Sequence, residues 1–248
     1  MNNFHAPLFL EGPDDRGLVV FVHGFMGSPR QFDKLAQTVH RKGYSAVSLL
    51  LPGHGGSAKD FATGTLTSWQ HYVDTEVERL SREYENIWLV GHSMGGLLVV
   101  NTAIRYGACI RGIFMIASPF KLTIISAQSL KVRLQLLFYR KSNPVKAAYF
   151  IGNSIKFSPG LLWYLFKPTI ELHKLMKVTQ ENLPDVRPHL SAVYSLSDEL
   201  VSLFSLEILK SGLTGASFDH FVLSDSLHAY YPDHEFALIE QALVRMLP

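Results

Sequence analysis

The chain alternates between short apolar runs and longer stretches in which apolar residues recur at helical spacing. The runs predict buried strands at residues 18–22, 45–49, 86–90, 112–117, 191–196 and 218–223. Helical patterns lie between them, at about residues 28–42, 68–84, 97–103, 201–211 and 235–247. Strands separated by helices imply a mostly parallel sheet with helices on both faces, so we predict an α/β fold.

The first helix has sequence signals at both ends. Ser28, Pro29 and Gln31 resemble a capping box with proline at the first helical position. Gly43 stands where a helix stop is expected. We therefore expect a capped helix between residues 28 and 42.

The alternation stops between residues 117 and 191, and this segment is rich in large apolar side chains. Residues 130–136 fit both a strand and a helix, of which we favour the helix, and Ser158 with Pro159 could begin another. A chain of 248 residues fits one α/β domain with an insertion. We predict a core made of residues 1–119 and 191–248, with residues 120–190 as a mostly helical cap over the strand ends.

The net charge of +2 conceals an uneven distribution. Residues 120–190 contain eleven Lys or Arg against three Asp or Glu, whereas the rest contains twelve against eighteen. The basic excess either keeps an apolar cap soluble, which we rank first, or allows weak association with anionic lipid surfaces. No nucleic-acid recognition motif accompanies the charge, so no nucleic-acid partner is expected.

The ends of the chain and its cysteine content point to a reducing compartment. The N-terminus has neither a basic region nor a long apolar stretch, and no apolar run approaches the ~20 residues that span a bilayer. Cys109 is the single cysteine, which excludes an intrachain disulfide. We expect a cytoplasmic protein.

The most specific local motif is Gly-His-Ser-Met-Gly-Gly at residues 91–96, between a predicted strand and a predicted helix. A serine at such a turn has a strained backbone that exposes its hydroxyl. Gly91 and Gly95 would supply room for the close approach of the two elements. Ser93 is therefore the candidate nucleophile.

A serine nucleophile needs an imidazole to take its proton and a carboxylate to orient that imidazole. Asp198 and His228 each follow a predicted strand, and the order Ser93, Asp198, His228 suits such a triad. The alternatives to these two positions are His220, His234, Glu199, Asp219, Asp225 and Asp233.

Donors for the developing oxyanion are also present. The backbone N–H of Met94 would point from a helix N-terminus, and the turn at residues 23–27 could present the N–H of Phe25. His23 and Gly24 would support this loop, and His54 would make structural hydrogen bonds in its own glycine-rich turn.

Taken together, Phe-Val-His-Gly-Phe at residues 21–25, Leu-Pro-Gly-His-Gly-Gly-Ser at 51–57, the Ser93 motif, Asp198 and Ser-Leu-His at 226–228 resemble the bacterial carboxylesterases and monoacylglycerol lipases of the α/β-hydrolase superfamily. The resemblance runs from about residue 17 to the end. One departure is Leu227, where the family usually has glycine.

The resemblance implies an α/β-hydrolase fold and a serine hydrolase that cleaves apolar acyl esters through an acyl-enzyme. Ser93 would be the nucleophile, His228 the general base and then acid, and Asp198 its orienting partner. Phe25 and Met94 would be the oxyanion donors. No metal or organic cofactor is implied. The same triad could instead serve a thioesterase, amidase or acyltransferase, and the fold alone could serve a non-catalytic binder of hydrophobic ligands.

Overall fold

The computed structural model describes residues 4–13, 16–123, 153–155 and 161–248. Seven strands in these residues form one sheet in the order β1-β3-β2-β4-β5-β6-β7. Strand β1 is antiparallel to β3, and all other neighbours are parallel. The strands are β1 (Leu8–Leu10), β2 (Leu18–Val22), β3 (Ser45–Leu49), β4 (Ile87–His92), β5 (Ile110–Ile116), β6 (His189–Ser195) and β7 (Phe218–Leu223).

Helices cover the sheet on both faces, which confirms the predicted fold class. In the described residues they are α1 (Asp33–Arg41), α2 (Ala58–Ala62), α3 (Leu66–Leu80), α4 (Met94–Arg105), α5 (Leu161–Asn182), α6 (Phe204–Gly212) and α7 (Asp233–Met246). Short 3-10 turns precede α1, at Pro29–Phe32, and follow α5, at Leu183–Asp185.

Each parallel strand sends alternate side chains to two apolar layers, as the two-residue period of a strand requires. In β2, Val20 and Val22 join a cluster that includes residues of α3, α4, α5 and α6. Val19 and Phe21 join a second cluster with residues of α1 and α7. Burial on both faces explains why these strands are apolar throughout rather than alternating.

The predicted capping box at Ser28 is wrong. Ser28 Oγ accepts the N–H of Arg30, but Gln31 does not return to Ser28. Its Oε1 atom instead accepts the N–H of Gly24 at 3.3 Å. Reciprocal boxes do occur before α2 and α3, at Ser57 with Asp60 and at Thr65 with Ser68. Helix α3 therefore begins two residues before the predicted start.

The C-terminal half of α5 belongs to the main apolar layer. Leu172, Leu175 and Met176 are buried in the same cluster as α4, and Asn101 donates to Thr179 Oγ1 at 2.8 Å. This part of the predicted cap thus packs directly on the core helices. The predictions for residues 130–136 and for Ser158 with Pro159 fall outside the described residues. Within the described chain, every helix is too short or too polar to cross a membrane.

Candidate active site

Four loops meet at one edge of the sheet because β2, β4, β6 and β7 run parallel and end there. His23 follows β2 directly, and Ser93 follows β4 directly. Asp198 and His228 lie in the loops after β6 and β7. Open parallel sheets place their sites beyond these strand ends.

Ser93 occupies a strained turn between β4 and α4. Its φ of 53° and ψ of −123° lie outside the ordinary regions for a residue with a side chain. The turn requires glycine on either side, since a Cβ on Gly91 would lie 2.4 Å from Gly96 Cα and one on Gly95 would lie 1.9 Å from the oxygen of Val22. These contacts lock the Ser93 side chain at the tip of the turn.

The structure brings Ser93, His228 and Asp198 into one hydrogen-bonded chain. His228 Nε2 lies 3.0 Å from Ser93 Oγ, and His228 Nδ1 lies 2.9 Å from Asp198 Oδ2. Asp198 Oδ1 accepts the N–H groups of Leu200 and Val201, each at 2.8 Å. With Nδ1–H donating to the carboxylate, Nε2 is free to accept the serine proton.

The charges at this site favour a protonated imidazole beside an ionised carboxylate. Burial lowers the pKa of His228, but the charge and hydrogen bond of Asp198 and the charge of Glu199 together raise it above 6.5. Burial also raises the pKa of Asp198, yet the charge and hydrogen bond of His228 and the N–H groups of Val201 and Leu200 bring it below 3.8. The pair therefore stabilises the proton that His228 would gain from Ser93.

The other candidates for base and acid have separate surroundings. His220 is exposed on β7 and stacks on Phe218. Glu199 accepts the backbone N–H of His228 and does not contact its ring nitrogens. The other four residues make polar contacts away from the Ser93 hydrogen bonds: His234 with Asp225 at 3.5 Å, Asp219 with His189 at 3.5 Å and Asp233 with Lys34 at 3.7 Å.

The loop at residues 23–27 packs against Ser93. A Cβ on Gly24 would lie 2.9 Å from Ser93 Cβ. His23 fixes the loop, since its Nε2 accepts the N–H of Leu51 at 3.1 Å and its Nδ1 donates to the carbonyl of Gly24 at 3.0 Å. Burial and the neighbouring imidazoles hold the pKa of His23 well below 6.5, so this ring is neutral.

The same loop is closed by further hydrogen bonds. The carbonyl of Gly24 also accepts the N–H of Gly27 at 2.8 Å, and Met26 has a positive φ of 58°. The N–H of Ser154 donates to the carbonyl of Met26 at 2.8 Å. Phe25 therefore lies in a tight, externally anchored turn beside the nucleophile.

Met94 is the first residue of α4, so its N–H lies among those at the helix start that have no partner within the helix. The positive end of the helix dipole adds to the attraction for negative charge at this position. The N–H groups of Phe25 and Met94 are thus carried by two elements that meet at Ser93.

Apolar side chains surround these loops. Phe25 packs edge-on against Phe61, with ring centroids 4.9 Å apart, and lies 6.4 Å from Trp69. Met94 and Ile155 belong to the same apolar cluster. His54 packs on Phe61 and donates to the carbonyl of Pro52, and burial lowers the pKa of His54 to about 4. Aromatic and aliphatic side chains therefore pack directly beside the loops that meet at Ser93.

Sequence reasoning did not predict the role of four side chains that hold the loop carrying His228, although the sequence offers Glu199 as an alternative to Asp198. Glu199 accepts the N–H of His228, while His92 and Tyr231 donate to its carbonyl oxygen. Glu235 accepts the N–H groups of Ser224 and Asp225. Three of these residues, Glu199, His92 and Glu235, are buried polar side chains that lie close to the motifs in sequence. Their burial would have marked them as structural, but burial cannot be read from the sequence alone.

Asp225, His234 and Glu235 are the one group of possible metal ligands found in the described residues. Asp225 and His234 are exposed, and both oxygens of Glu235 already accept hydrogen bonds from residues 224–226. The arrangement fits a loop anchor rather than a metal centre.

Comparison with known proteins identifies a family and individual enzymes to which this chain is similar. The model of a hydrolase family described as "Serine aminopeptidase, S33" matches residues 13–158. A thermostable monoacylglycerol lipase from Bacillus sp. (strain H-257) is 26% identical over 226 residues, covering 89% of this chain and 86% of the lipase.

Solved structures of lipolytic enzymes have the same fold. One from a study of the metagenome-derived enzymes LipS and LipT superposes with a TM-score of 0.75 at 22% identity, covering 98% of this chain and 97% of that one. The Paleococcus ferrophilus monoacylglycerol lipase superposes with a TM-score of 0.70 at 16% identity and covers 98% of both chains.

Proposed function

The chain belongs to the hydrolase family described as serine aminopeptidase, S33, and from that membership we propose that it cleaves carboxylic esters through an acyl-enzyme on Ser93. The observation that carries this proposal is the continuous chain of hydrogen bonds from Ser93 through His228 to Asp198. Its atoms have the order and spacing that nucleophilic catalysis by serine requires.

The first half of the reaction forms the acyl-enzyme. His228 Nε2 takes the hydroxyl proton as Ser93 Oγ attacks the ester carbonyl, and Asp198 stabilises the imidazolium that results. The carbonyl oxygen becomes negative and is stabilised by the N–H groups of Phe25 and Met94. His228 then returns its proton to the alcohol oxygen as the carbon–oxygen bond breaks and the alcohol leaves.

Water completes the cycle. His228 takes a proton from the water that attacks the acyl carbonyl, and the same two N–H groups stabilise the second oxyanion. The proton returns to Ser93 Oγ as the bond between serine and the acyl group breaks. The carboxylic acid is released, and the free serine is restored.

An apolar acyl group suits the surroundings of Ser93. Phe25, Met94 and Ile155 belong to one apolar cluster that reaches the loops around the nucleophile. The similar Bacillus protein is a monoacylglycerol lipase. We therefore assign apolar acyl esters, such as monoacylglycerols, as the substrate class.

The predicted cap remains part of this proposal. Trp163 and Phe166 are 87% and 71% exposed near the start of α5, within the basic segment 120–190. Such side chains beside lysines suit a cap that shields long acyl chains and that touches a lipid surface weakly. The division into a core of residues 1–119 and 191–248 with a cap at 120–190 stands as a proposal.

The same triad would also serve a thioesterase, amidase or acyltransferase. These activities differ in the bond cleaved or the acceptor used, whereas the nucleophile and base are the same. A binder of hydrophobic ligands without catalysis would need neither the strained Ser93 nor its hydrogen bond to His228, and the strain in this turn argues against it.

Two measurements test the proposal. A fluorophosphonate probe should label wild-type protein at Ser93, and the Ser93→Ala variant should stay unlabelled. A panel of p-nitrophenyl esters and monoacylglycerols of increasing chain length should then give hydrolysis with a preference for medium or long chains. Absence of labelling in folded protein would overturn the proposal, and faster cleavage of a matched thioester or amide would move it to one of the alternatives.

A further inference from the structure

The loop that carries His228 is a tight turn in which this residue occupies the corner. Leu227 and Tyr230 pair with each other through backbone hydrogen bonds of 2.8 and 3.3 Å. The turn thus forms with Leu227 at the position where the resemblance leads one to expect glycine. The N–H and carbonyl of His228 take no part in this pairing and are held by side chains, two of them from other segments and one from the same loop.

Glu199 holds the N–H of His228. Its carboxylate oxygen Oε2 accepts this N–H at 3.0 Å, and the residue is 3% exposed. The preceding residue, Asp198, holds the imidazole of the same histidine. Two consecutive carboxylates therefore fix one residue, the first through its ring and the second through its backbone. Hydrogen bonds to ionised acceptors are stronger than those to neutral ones.

His92 and Tyr231 hold the carbonyl of His228. His92 Nε2 donates to this oxygen at 2.8 Å, and the Tyr231 hydroxyl donates at 3.1 Å. Burial and the neighbouring His228 lower the pKa of His92 to about 3, so its ring is neutral, with the proton on Nε2. On its other side, Nδ1 faces the oxyanion loop, because a Cβ on Gly24 would lie 3.1 Å from it.

We propose that Glu199 is a positioning residue that, together with His92 and Tyr231, fixes the backbone of His228 so that its imidazole stays between Asp198 and Ser93. The proposal deepens the proposed function and rests on His228 as its base. A displacement of about 1 Å in a reacting group costs on the order of 100-fold in rate. Hydrogen bonds to both the N–H and the carbonyl of His228 would limit such a displacement of its imidazole.

The charge of Glu199 gives it a second effect, which separates it from a merely structural residue. The groups facing the imidazole are Asp198 and Glu199 from the loop after β6, His92 and Ser93 from the end of β4 and the turn after it, and Tyr231 from its own loop. Of these, the two carboxylates favour the imidazolium form. Removal of the Glu199 charge should therefore make His228 easier to deprotonate.

The experiment compares Glu199→Gln, Glu199→Ala and Tyr231→Phe with a matched control, Glu171→Gln. Glu171 is a partly buried carboxylate, with its side chain 13% exposed, that accepts the backbone N–H of Leu66 at 3.0 Å and pairs with Lys174 at 2.6 Å. It lies on α5 and makes these contacts outside the Ser93 hydrogen bonds. The readouts are kcat and KM on one p-nitrophenyl ester, the pH profile of kcat/KM, and the titration of the His228 imidazole by NMR in the Ser93→Ala background.

We expect Glu199→Ala to lower kcat by about 100-fold with little change in KM. Glu199→Gln keeps an oxygen acceptor for the N–H of His228, so its kcat should stay within about tenfold of wild type. Because this variant lacks the carboxylate charge, the acidic limb of its kcat/KM profile and the NMR titration of His228 should both move to lower pH. Tyr231→Phe should lower kcat modestly without moving the titration, and Glu171→Gln should change neither.

An unchanged His228 titration in folded Glu199→Gln would overturn the proposal, as would a Glu199→Ala variant that folds and retains wild-type kcat. Should Glu199→Ala fail to fold, Glu199→Gln and Tyr231→Phe decide the matter. The NMR titration needs no turnover, so the two proposals can fail separately. If the wild-type protein hydrolysed no ester but Glu199→Gln moved the His228 titration as expected, the proposed function would be refuted and the positioning of His228 by Glu199 would stand.

Discussion

The α-carbon of Gly95 lies against the backbone carbonyl of Val22, so closely that a Cβ at position 95 would come within 1.9 Å of that oxygen. Val22 ends β2 and leads into the loop that carries Phe25. Gly95 follows Met94 at the start of α4. This contact therefore lies between the two elements that carry the proposed oxyanion donors and requires glycine at position 95.

Gly95→Ala should damage both folding and the site, because backbone atoms cannot yield as a flexible side chain can. We expect a loss of about 3 kcal/mol or more in the free energy of unfolding. We also expect loss of fluorophosphonate labelling under conditions where the variant remains folded. Urea denaturation and probe labelling measure the two effects.

Gly107→Ala is the control for this substitution, since a Cβ there meets a single neighbouring atom, the carbonyl oxygen of Ala103, at 3.2 Å. It should leave labelling unchanged. Equal labelling of the Gly95→Ala and wild-type proteins would contradict the tight packing of the two loops.

Removal of any triad member should abolish most esterase activity, since the three residues act as one unit. We expect Ser93→Ala, His228→Ala and Asp198→Asn each to lower kcat by roughly 10⁴-fold, and the double variant Ser93→Ala/His228→Ala to lose little more than either single variant. Steady-state kinetics on one activated ester measures these changes.

His220→Ala is the matched control, because this histidine is exposed on β7 and stacks on Phe218. Its kcat should equal that of wild type. Additive losses in the double variant would show that Ser93 and His228 act independently.

The sequence alone predicted the fold class and six of the seven strands, with each strand end placed within about two residues of its observed position. Apolar runs mark strands such as β2 and β3 because both of their faces are buried. β1 was missed because three residues carry too little periodicity to stand out. The α/β-hydrolase fold that the motifs suggested is confirmed by the lipolytic structures that superpose on almost the whole chain.

The side chains that hold the site together could not be predicted in the same way. Gln31 has the spacing of a capping residue, yet its side chain accepts the N–H of Gly24 in the loop at residues 23–27. Glu199 and His92 bond to the backbone of His228 from distant segments. Such contacts depend on tertiary proximity, which residue type and spacing do not encode.

The acidic limb of kcat/KM should report the imidazole of His228. Asp198 and Glu199 outweigh the effect of burial and raise the pKa of His228 above 6.5. The base must be neutral to accept the serine proton, so activity should fall as the pH falls through a value above 6.5 and lose about tenfold per further pH unit.

The pH profile on a neutral p-nitrophenyl ester measures this limb, and a monoacylglycerol should give the same limb because neither substrate titrates. Asp198→Asn removes a facing charge, so its residual activity should have a limb at lower pH than wild type. A wild-type limb well below 6.5 would contradict the arrangement of charges around His228.

Folding stability should decline on mild acidification because three buried histidines stay neutral in the folded protein. Burial lowers the pKa of His54 to about 4 and that of His92 to about 3, and it holds the pKa of His23 well below 6.5. Between 6.5 and these values the unfolded chain binds protons that the folded chain does not, so stability falls as the pH falls.

Each of the three histidines contributes a slope that is about half of 1.4 kcal/mol per pH unit at pH 6.5 and approaches about 1.4 kcal/mol per pH unit roughly one unit lower. The window from about pH 6.5 to pH 5 contains this effect, together with a contribution of the same sign from His5, whose pKa is lowered by partial burial and by the charge of Arg30. His228 has a raised pKa, so its contribution to stability changes only above about pH 6.5. Carboxylates with a lowered pKa, such as Asp198, lose their contribution at lower pH than this window.

Urea denaturation across the window should show a loss of several kcal/mol in the free energy of unfolding, and His54→Gln should reduce the slope of this loss by about one third. A free energy of unfolding that is constant across this range would mean that these rings accept protons in the folded state.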